Sequence, residues 1–150
     1  LPYGNFEEAG ETSPTLFYND ANQHVAKMVE TRIANTNSPW LVGVEVGDIH
    51  AIPVSHGEGK FVVSASEFAE LRDNGQIWSQ YVDFDGQPSM DSKYNPNGSV
   101  NAIEGITSKN GQIIGKMGHS ERWEDGLFQN IPGNKDQALF ASAVKYFTGK

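Results

Sequence analysis

Two short apolar-rich runs, residues 102–107 and 112–117, are separated only by Ser108-Lys109-Asn110-Gly111. Asn and Gly tolerate the positive φ of a tight reversal, so the two runs are expected to pair as an antiparallel hairpin. The same punctuation recurs at Asp85-Gly86 and at Asn95-Pro96-Asn97-Gly98-Ser99, which divides residues 77–117 into short strands joined by turns. Further upstream, residues 48–55 read as a strand. It breaks at His56-Gly57-Glu58-Gly59 and resumes over 60–63, giving a strand, tight turn, strand unit.

Helices are fewer. Ser64-Ala65-Ser66-Glu67 has the form of a capping box and predicts a short helix that buries Phe68 and Leu71 and stops at Asn74-Gly75. Near the C-terminus, Asn134 with Gln137 three residues on can cap a helix that aligns Phe140, Val144 and Phe147 on one face and ends before Gly149. Residues 1–23, rich in Gly, Pro, Asn, Glu and Thr, read as a connection with one short strand at 15–18. Periodicity leaves residues 24–35 open. Val25, Met28, Val29 and Ile33 fit a helical face, whereas Val25, Val29, Thr31 and Ile33 fit a strand.

With 150 residues, 37% of them hydrophobic, the chain can bury one sizeable core and reads as a single domain or a large piece of one. A formal charge of −8, with only Arg32, Arg72 and Arg122 among the arginines, disfavours nucleic acid and anionic membrane as partners. A phosphate-rich substrate would have to be gripped by something outside this chain. The apolar stretches are too short for a membrane span and no signal-peptide pattern opens the sequence, so a cytoplasmic setting is expected. Disulfides are excluded by the absence of cysteine. The start at Leu1-Pro2-Tyr3-Gly4, without Met, leads us to expect a segment of a longer polypeptide.

The chemistry concentrates at His119-Ser120-Glu121, just past the second hairpin strand and followed by Arg122. In an extended run, residues two apart point the same way. The Glu121 carboxylate is then placed to hold one imidazole nitrogen of His119 while the other faces a nucleophile. Such a pair usually serves a serine or cysteine from another segment. With no cysteine present, either a hydroxyl does the work or the chain is incomplete.

At His56-Gly57-Glu58-Gly59 the glycines permit backbone amides to approach a ligand closely, and a plain turn with a solvent-facing histidine is an equal reading. Asp48-Ile49-His50 reads as strand with an exposed polar face, His24 carries no signal, and Trp40, Trp78 and Trp123 read as packing residues. Three hypotheses follow. One is half of an amide-hydrolysing site with His119 as base and Glu121 as orienter. The second is a β-rich metal site built from three carboxylate–histidine pairs at i, i+2 spacing, weakened by the lack of His-x-His or His-Glu-x-x-His spacing. The third is a non-catalytic docking domain.

Taken in order, Ile52-Pro53-Val54-Ser55-His56-Gly57-Glu58-Gly59-Lys60-Phe61, Gln80-Tyr81-Val82-Asp83, Asn95-Pro96-Asn97-Gly98-Ser99 and Gly118-His119-Ser120-Glu121-Arg122 resemble the glutaminase domain of phosphoribosylformylglycinamidine synthase, from residue 1 to about 147. The resemblance implies a class I glutamine amidotransferase fold: an α/β three-layer sandwich around a mixed, largely parallel sheet, present here as its β-rich C-terminal portion. It also favours a strand over residues 24–35. It implies a Cys-His-Glu triad in which His119 and Glu121 match the His and Glu. The cysteine would lie upstream of the segment resembling Leu1-Pro2-Tyr3-Gly4, so the chain would lack it and be inactive alone. Ser55, His56, Gly57 and Glu58 would contribute to binding glutamine, and no cofactor or metal would belong to this segment. By the same resemblance, ammonia would pass to a synthetase domain. There ATP and Mg would serve the amidination of formylglycinamide ribonucleotide in purine biosynthesis. The partners would be the upstream part of the glutaminase domain and that synthetase, on one polypeptide or as separate subunits.

Overall fold

The computed structural model describes residues 13–149. In chain order the elements are β1 (Thr15–Phe17), β2 (Val25–Ile33), β3 (Ile49–His56), β4 (Lys60–Val62), α1 (Ala65–Asp73), β5 (Ile77–Tyr81), β6 (Ile103–Thr107), β7 (Ile114–Lys116) and α2 (Leu139–Thr148). Short 3-10 turns occupy Pro39–Leu41, Val100–Ala102 and Ser120–Arg122. Five strands form one sheet in the order β3-β2-β5-β6-β7, and β1 pairs with β4 in a separate ribbon.

Residues 24–35 resolve as strand. Val29, Thr31 and Ile33 are buried on alternate positions of β2, which pairs with β3 from Val25 opposite His56 to Arg32 opposite Ile49. The hairpin predicted around Asn110-Gly111 is present, with Gly105 opposite Lys116 and Thr107 opposite Ile114. All the named strand pairings are antiparallel. The parallel pairing implied for the family's sheet is confined, among the described residues, to a single bridge between His50 and Asn134.

The strands flanking His56-Gly57-Glu58-Gly59 do not form one hairpin. β3 belongs to the large sheet, whereas β4 crosses to β1. Asn19, itself buried, dictates this: its Nδ2 donates to the His56 carbonyl at 2.6 Å and its Oδ1 accepts the Gly59 amide at 2.9 Å. Its own amide donates to the Gly57 carbonyl at 3.0 Å. Groups that a two-stranded hairpin would use across the turn are thus engaged by a third segment.

α1 follows the capping box. Ser64 Oγ accepts the Glu67 amide at 3.2 Å, Glu67 Oε2 accepts the Ser64 amide at 3.3 Å, and Gly75 at φ +64° ends the helix. Leu71 is fully buried, and Phe68 packs against a cluster of Phe61, Val63, Ile77, Ile103 and Ile106. On β5, Ile77 enters that cluster while Trp78 enters a second, with Ile33, Leu41 and Leu139, as strand alternation requires.

α2 departs from expectation at its start. It begins at Leu139 after Ala138, which holds φ 50°, and Asn134 does not cap it. Instead Asn134 Oδ1 closes a local turn onto the Asp136 amide, and the Asn134 carbonyl accepts the Ala51 amide at 2.7 Å. Those bonds engage Asn134 before the helix begins. The face carrying Phe140, Val144 and Phe147 is exposed; Leu139, Ser142 and Ala143 are buried, with Ser142 Oγ accepting the Gly43 amide at 3.0 Å. Gly149, in the left-handed region, closes the helix as predicted.

Removing the Ser64 hydroxyl takes one orphan amide's partner away, so Ser64→Ala is expected to lower the unfolding free energy by about 1 kcal/mol. Leu71→Ala leaves a cavity under α1 and is expected to cost about 2–5 kcal/mol. Urea unfolding of the two variants measures both; a Leu71→Ala loss no larger than that of Ser64→Ala contradicts the packing assigned to Leu71.

Candidate active site

The five-stranded sheet curls until its two edge strands meet. β3 and β7 lie at opposite ends of the strand order, yet the His119 amide, just beyond β7, donates to the Pro53 carbonyl of β3 at 2.8 Å. Pro53 suits this position. A strand residue's N–H and C=O point to the same side, so at the free edge its missing N–H takes nothing from the β2 ladder while its carbonyl remains available. Gly118 is the crossing point: a Cβ there would lie 2.1 Å from Ile52 Cδ1 and 3.0 Å from Glu104 Oε1.

From that crossing the chain enters the Ser120–Arg122 turn, with the Arg122 amide on the His119 carbonyl at 3.2 Å. His119 and Glu121 therefore meet through a 3-10 turn and not through the alternation of an extended strand. His119 Nδ1 lies 2.7 Å from Glu121 Oε1. A carboxylate accepts only, so Nδ1 carries a proton, and in the neutral ring the lone pair falls on Nε2. Nε2 is buried and has no hydrogen-bond partner among the described residues. Burial pushes the Glu121 carboxyl up, but the hydrogen bonds from its own amide and from His119, with the charges of His119 and Arg122, hold it net below the ordinary 4.5. The Arg122 guanidinium stands 3.7 Å from the same oxygen.

His56 joins the pair from the other edge. Its ring stacks on that of His119, with centroids 4.9 Å apart and planes 15° from parallel, and its Nε2 bonds the Met117 carbonyl. Since a carbonyl only accepts, Nε2 carries the proton. Burial lowers the His56 pKa below 6.5; the Met117 bond opposes this, and His119 and Arg122 reinforce it. A cavity of about 520 Å³ opens beside the pair, lined by His56, His119, Ser120 and Glu121 and walled by apolar side chains including Trp40 and Phe140. Of the four candidate binding residues in the 55–58 turn, His56 alone lines it. Ser55 Oγ instead contacts His24 Nε2 at 3.0 Å, and Gly57 and Glu58 are exposed.

His50 is a correction. It was expected on an exposed polar face, but it is buried in β3, its Nδ1 has no hydrogen-bond partner among the described residues, and burial lowers its pKa. Strand alternation permits either face, and the bridge to Asn134 covers this one. The three carboxylate–histidine pairs do not converge. Among the described residues no group of three or more His, Asp or Glu side chains is disposed to hold a metal ion. Trp78 is core, as read, and Trp40 is an edge residue whose Nε1 donates to the Gln112 carbonyl at 2.9 Å. Sequence reasoning passed over Glu104 and Lys116 and gave Gln137 only a capping role; all three lie behind His119. For Glu104 and Lys116 the signal was a charged residue interrupting each strand of the hairpin.

Residues 1–147 match the family of CobB/CobQ-like glutamine amidotransferase domains, and the chain belongs to that family. Among its relatives is the phosphoribosylformylglycinamidine synthase subunit PurQ of Thermomicrobium roseum, 39% identical over 129 residues, covering 86% of this chain and 52% of that protein. The PurQ subunit of Gloeobacter violaceus is 33% identical over 137 residues, covering 91% and 57%. The chain thus spans about half the length of the curated relatives it matches. In the solved structure of PurLQS from Thermotoga maritima, a chain of 24% identity shares the fold with a TM-score of 0.66, over 90% of this chain and 53% of that one. The resemblance to the glutaminase domain of phosphoribosylformylglycinamidine synthase is upheld, and with it the class I glutamine amidotransferase-like α/β fold.

Buried His50 and half-buried His56 set an acid limit. Their folded pKa values lie below 6.5, so on acidification the unfolded chain binds protons first. Stability should therefore hold above pH 6.5 and decline as pH falls below it, until the folded-state values are reached. Glu121, also lowered, adds a second decline only as pH falls below 4.5. Histidine NMR titration is expected to place His50 and His56 below 6.5, and His56→Gln to shallow the upper decline; a midpoint above 6.5 for His56 would contradict the stacked, neutral ring.

Proposed function

We propose that this chain supplies the His–Glu half of a Cys-His-Glu glutaminase site. The observation that carries the reading is the 2.7 Å bond from His119 Nδ1 to Glu121, which leaves Nε2 as a base without a partner among the described residues. No cysteine occurs in the 150 residues, so the thiol comes from outside this chain, and the chain alone is inactive. His119 Nε2 takes the thiol proton, the thiolate attacks the carboxamide carbon of glutamine, and the proton passes to the departing nitrogen as ammonia leaves. Water then attacks the thioester with His119 again as base, giving glutamate and restoring the thiol. Glu121 holds the ring in its tautomer and stabilises the imidazolium formed at each step.

The turn at Ser55, His56, Gly57 and Glu58 is read as the substrate-binding segment, with His56 its member on the cavity. The relatives carry the name phosphoribosylformylglycinamidine synthase subunit PurQ, which supports ammonia delivery to a synthetase partner. There, ATP with Mg drives conversion of formylglycinamide ribonucleotide to formylglycinamidine ribonucleotide, in the cytoplasm. The scarcity of arginine fits this division, since phosphate groups would bind on the partner.

In the intact synthase, His119→Ala is expected to abolish glutamine-dependent synthesis and leave ammonia-dependent synthesis near its original rate. Glu121→Gln should lower the glutamine-dependent kcat by roughly 10²- to 10⁴-fold, because the amide no longer selects the Nδ1–H tautomer. Parallel assays with glutamine and with ammonium chloride decide the matter. Equal loss of both activities in His119→Ala would sink the assigned role.

A further inference from the structure

His119 is gripped from both of its neighbours in the chain by one buried ion pair. Glu104, on β6, is buried; its Oε1 accepts the Gly118 amide at 2.6 Å and lies 3.7 Å from Lys116 Nζ. Lys116, on β7, keeps 13% of its side chain exposed, and its Nζ donates to Ser120 Oγ at 2.6 Å and to Gln137 Oε1. Ser120 Oγ also bonds Gln137 Oε1, and Gln137, buried ahead of α2, reaches Thr31 Oγ1 on β2 at 3.4 Å. Neither charged group bonds the His119 ring. Each holds the residue beside it, Gly118 on one side and Ser120 on the other.

We propose that Glu104 and Lys116 form a positioning clamp for the catalytic base: the carboxylate fixes the backbone entering His119, and the ammonium holds the hydroxyl of Ser120, the residue that follows it. This inference rests on the reading of His119 as the base. Both jaws use a charged partner, and charge-assisted hydrogen bonds are shorter and stronger than neutral ones. The two charges compensate each other in a place where a lone charge is costly, so they act as a unit. Lys116 also stands over the Trp78 ring at 5.7 Å, which restricts the ammonium further. Gly118 belongs to the same device, since any Cβ there would press on Glu104 Oε1 and Ile52. The clamp anchors the base to β2, β6 and β7, and the base keeps its orientation while substrate and products pass.

The test uses the full synthase carrying this chain, with Glu104→Gln, Lys116→Met, Ser120→Ala and the double variant Lys116→Met/Ser120→Ala. Displacing a catalytic group by about an ångström costs on the order of 100-fold. Glutamine-dependent kcat is accordingly expected to fall roughly 10- to 100-fold in the two charge variants and less in Ser120→Ala, with KM for glutamine within about threefold. Ammonia-dependent synthesis should be unchanged, and the double variant should be no worse than Lys116→Met alone, because both remove the same jaw. Ser120→Ala removes one hydroxyl and keeps the test open if a charge variant fails to fold. A kcat within about twofold of the parent in both Ser120→Ala and Lys116→Met, beside loss of activity in His119→Ala, overturns the clamp alone. A rise in KM with kcat preserved also overturns it, by making the pair part of glutamine binding. Undiminished glutamine-dependent synthesis in His119→Ala overturns the base assignment itself.

Discussion

The hydrogen bond from the His119 amide to the Pro53 carbonyl joins the ends of two strands that the sheet order places furthest apart. Right-handed twist accumulates from strand to strand, and across five antiparallel strands it turns an open sheet back on itself. Where the edges approach, the backbone groups of both would otherwise be left unpaired. The Pro53–His119 bond, the His56–Met117 bond and the Ala51–Asn134 bond engage them. The site sits at this closure because the curl brings together side chains more than sixty residues apart. His56 stacks on His119 for that reason alone; nothing local in either segment selects the other.

The closure also accounts for the charges behind it. Glu104 and Lys116 meet behind His119 on the two strands of the hairpin, with the Glu104 side chain buried and that of Lys116 only 13% exposed. Burial lowers the Lys116 pKa, while the Glu104 and Glu121 charges and the Glu104 contact pull it back up. A buried pair of this kind adds little net stability over an apolar one. Its worth lies in direction, since a carboxylate and an ammonium accept only a few arrangements of the groups they bind.

Much of this was legible in the sequence. The Asn110-Gly111 hairpin, the Ser64 capping box, the Gly149 stop and the partnership of His119 with Glu121 all rest on contacts within a few residues, which residue type and spacing encode. The misses share a cause. Asn134 has a good cap sequence, but its backbone is drawn to Ala51 on β3. The strand after Gly59 pairs with β1 because Asn19, forty residues upstream, occupies the turn. His50 is covered by a bridge from residue 134. Periodicity left residues 24–35 undecided because β2 is central and buried irregularly along its length. Each outcome depends on a distant segment whose arrival no local pattern announces.

The unpartnered nitrogen of His119 has an energetic meaning. A buried acceptor left without a donor costs about 1–3 kcal/mol. The cost here is borne where the Glu121 bond fixes the tautomer and the His56 ring restricts tilt, so the lone pair is held in one direction and kept from water. Under the proposed function, a thiol arriving from outside the chain supplies the missing donor. The hydrogen bond it forms recovers the cost and helps draw the two parts of the site together. On that reading the acceptor that would serve as the base would also favour assembly with the segment that bears the nucleophile, and one atom would serve both the chemistry and the joining of the site.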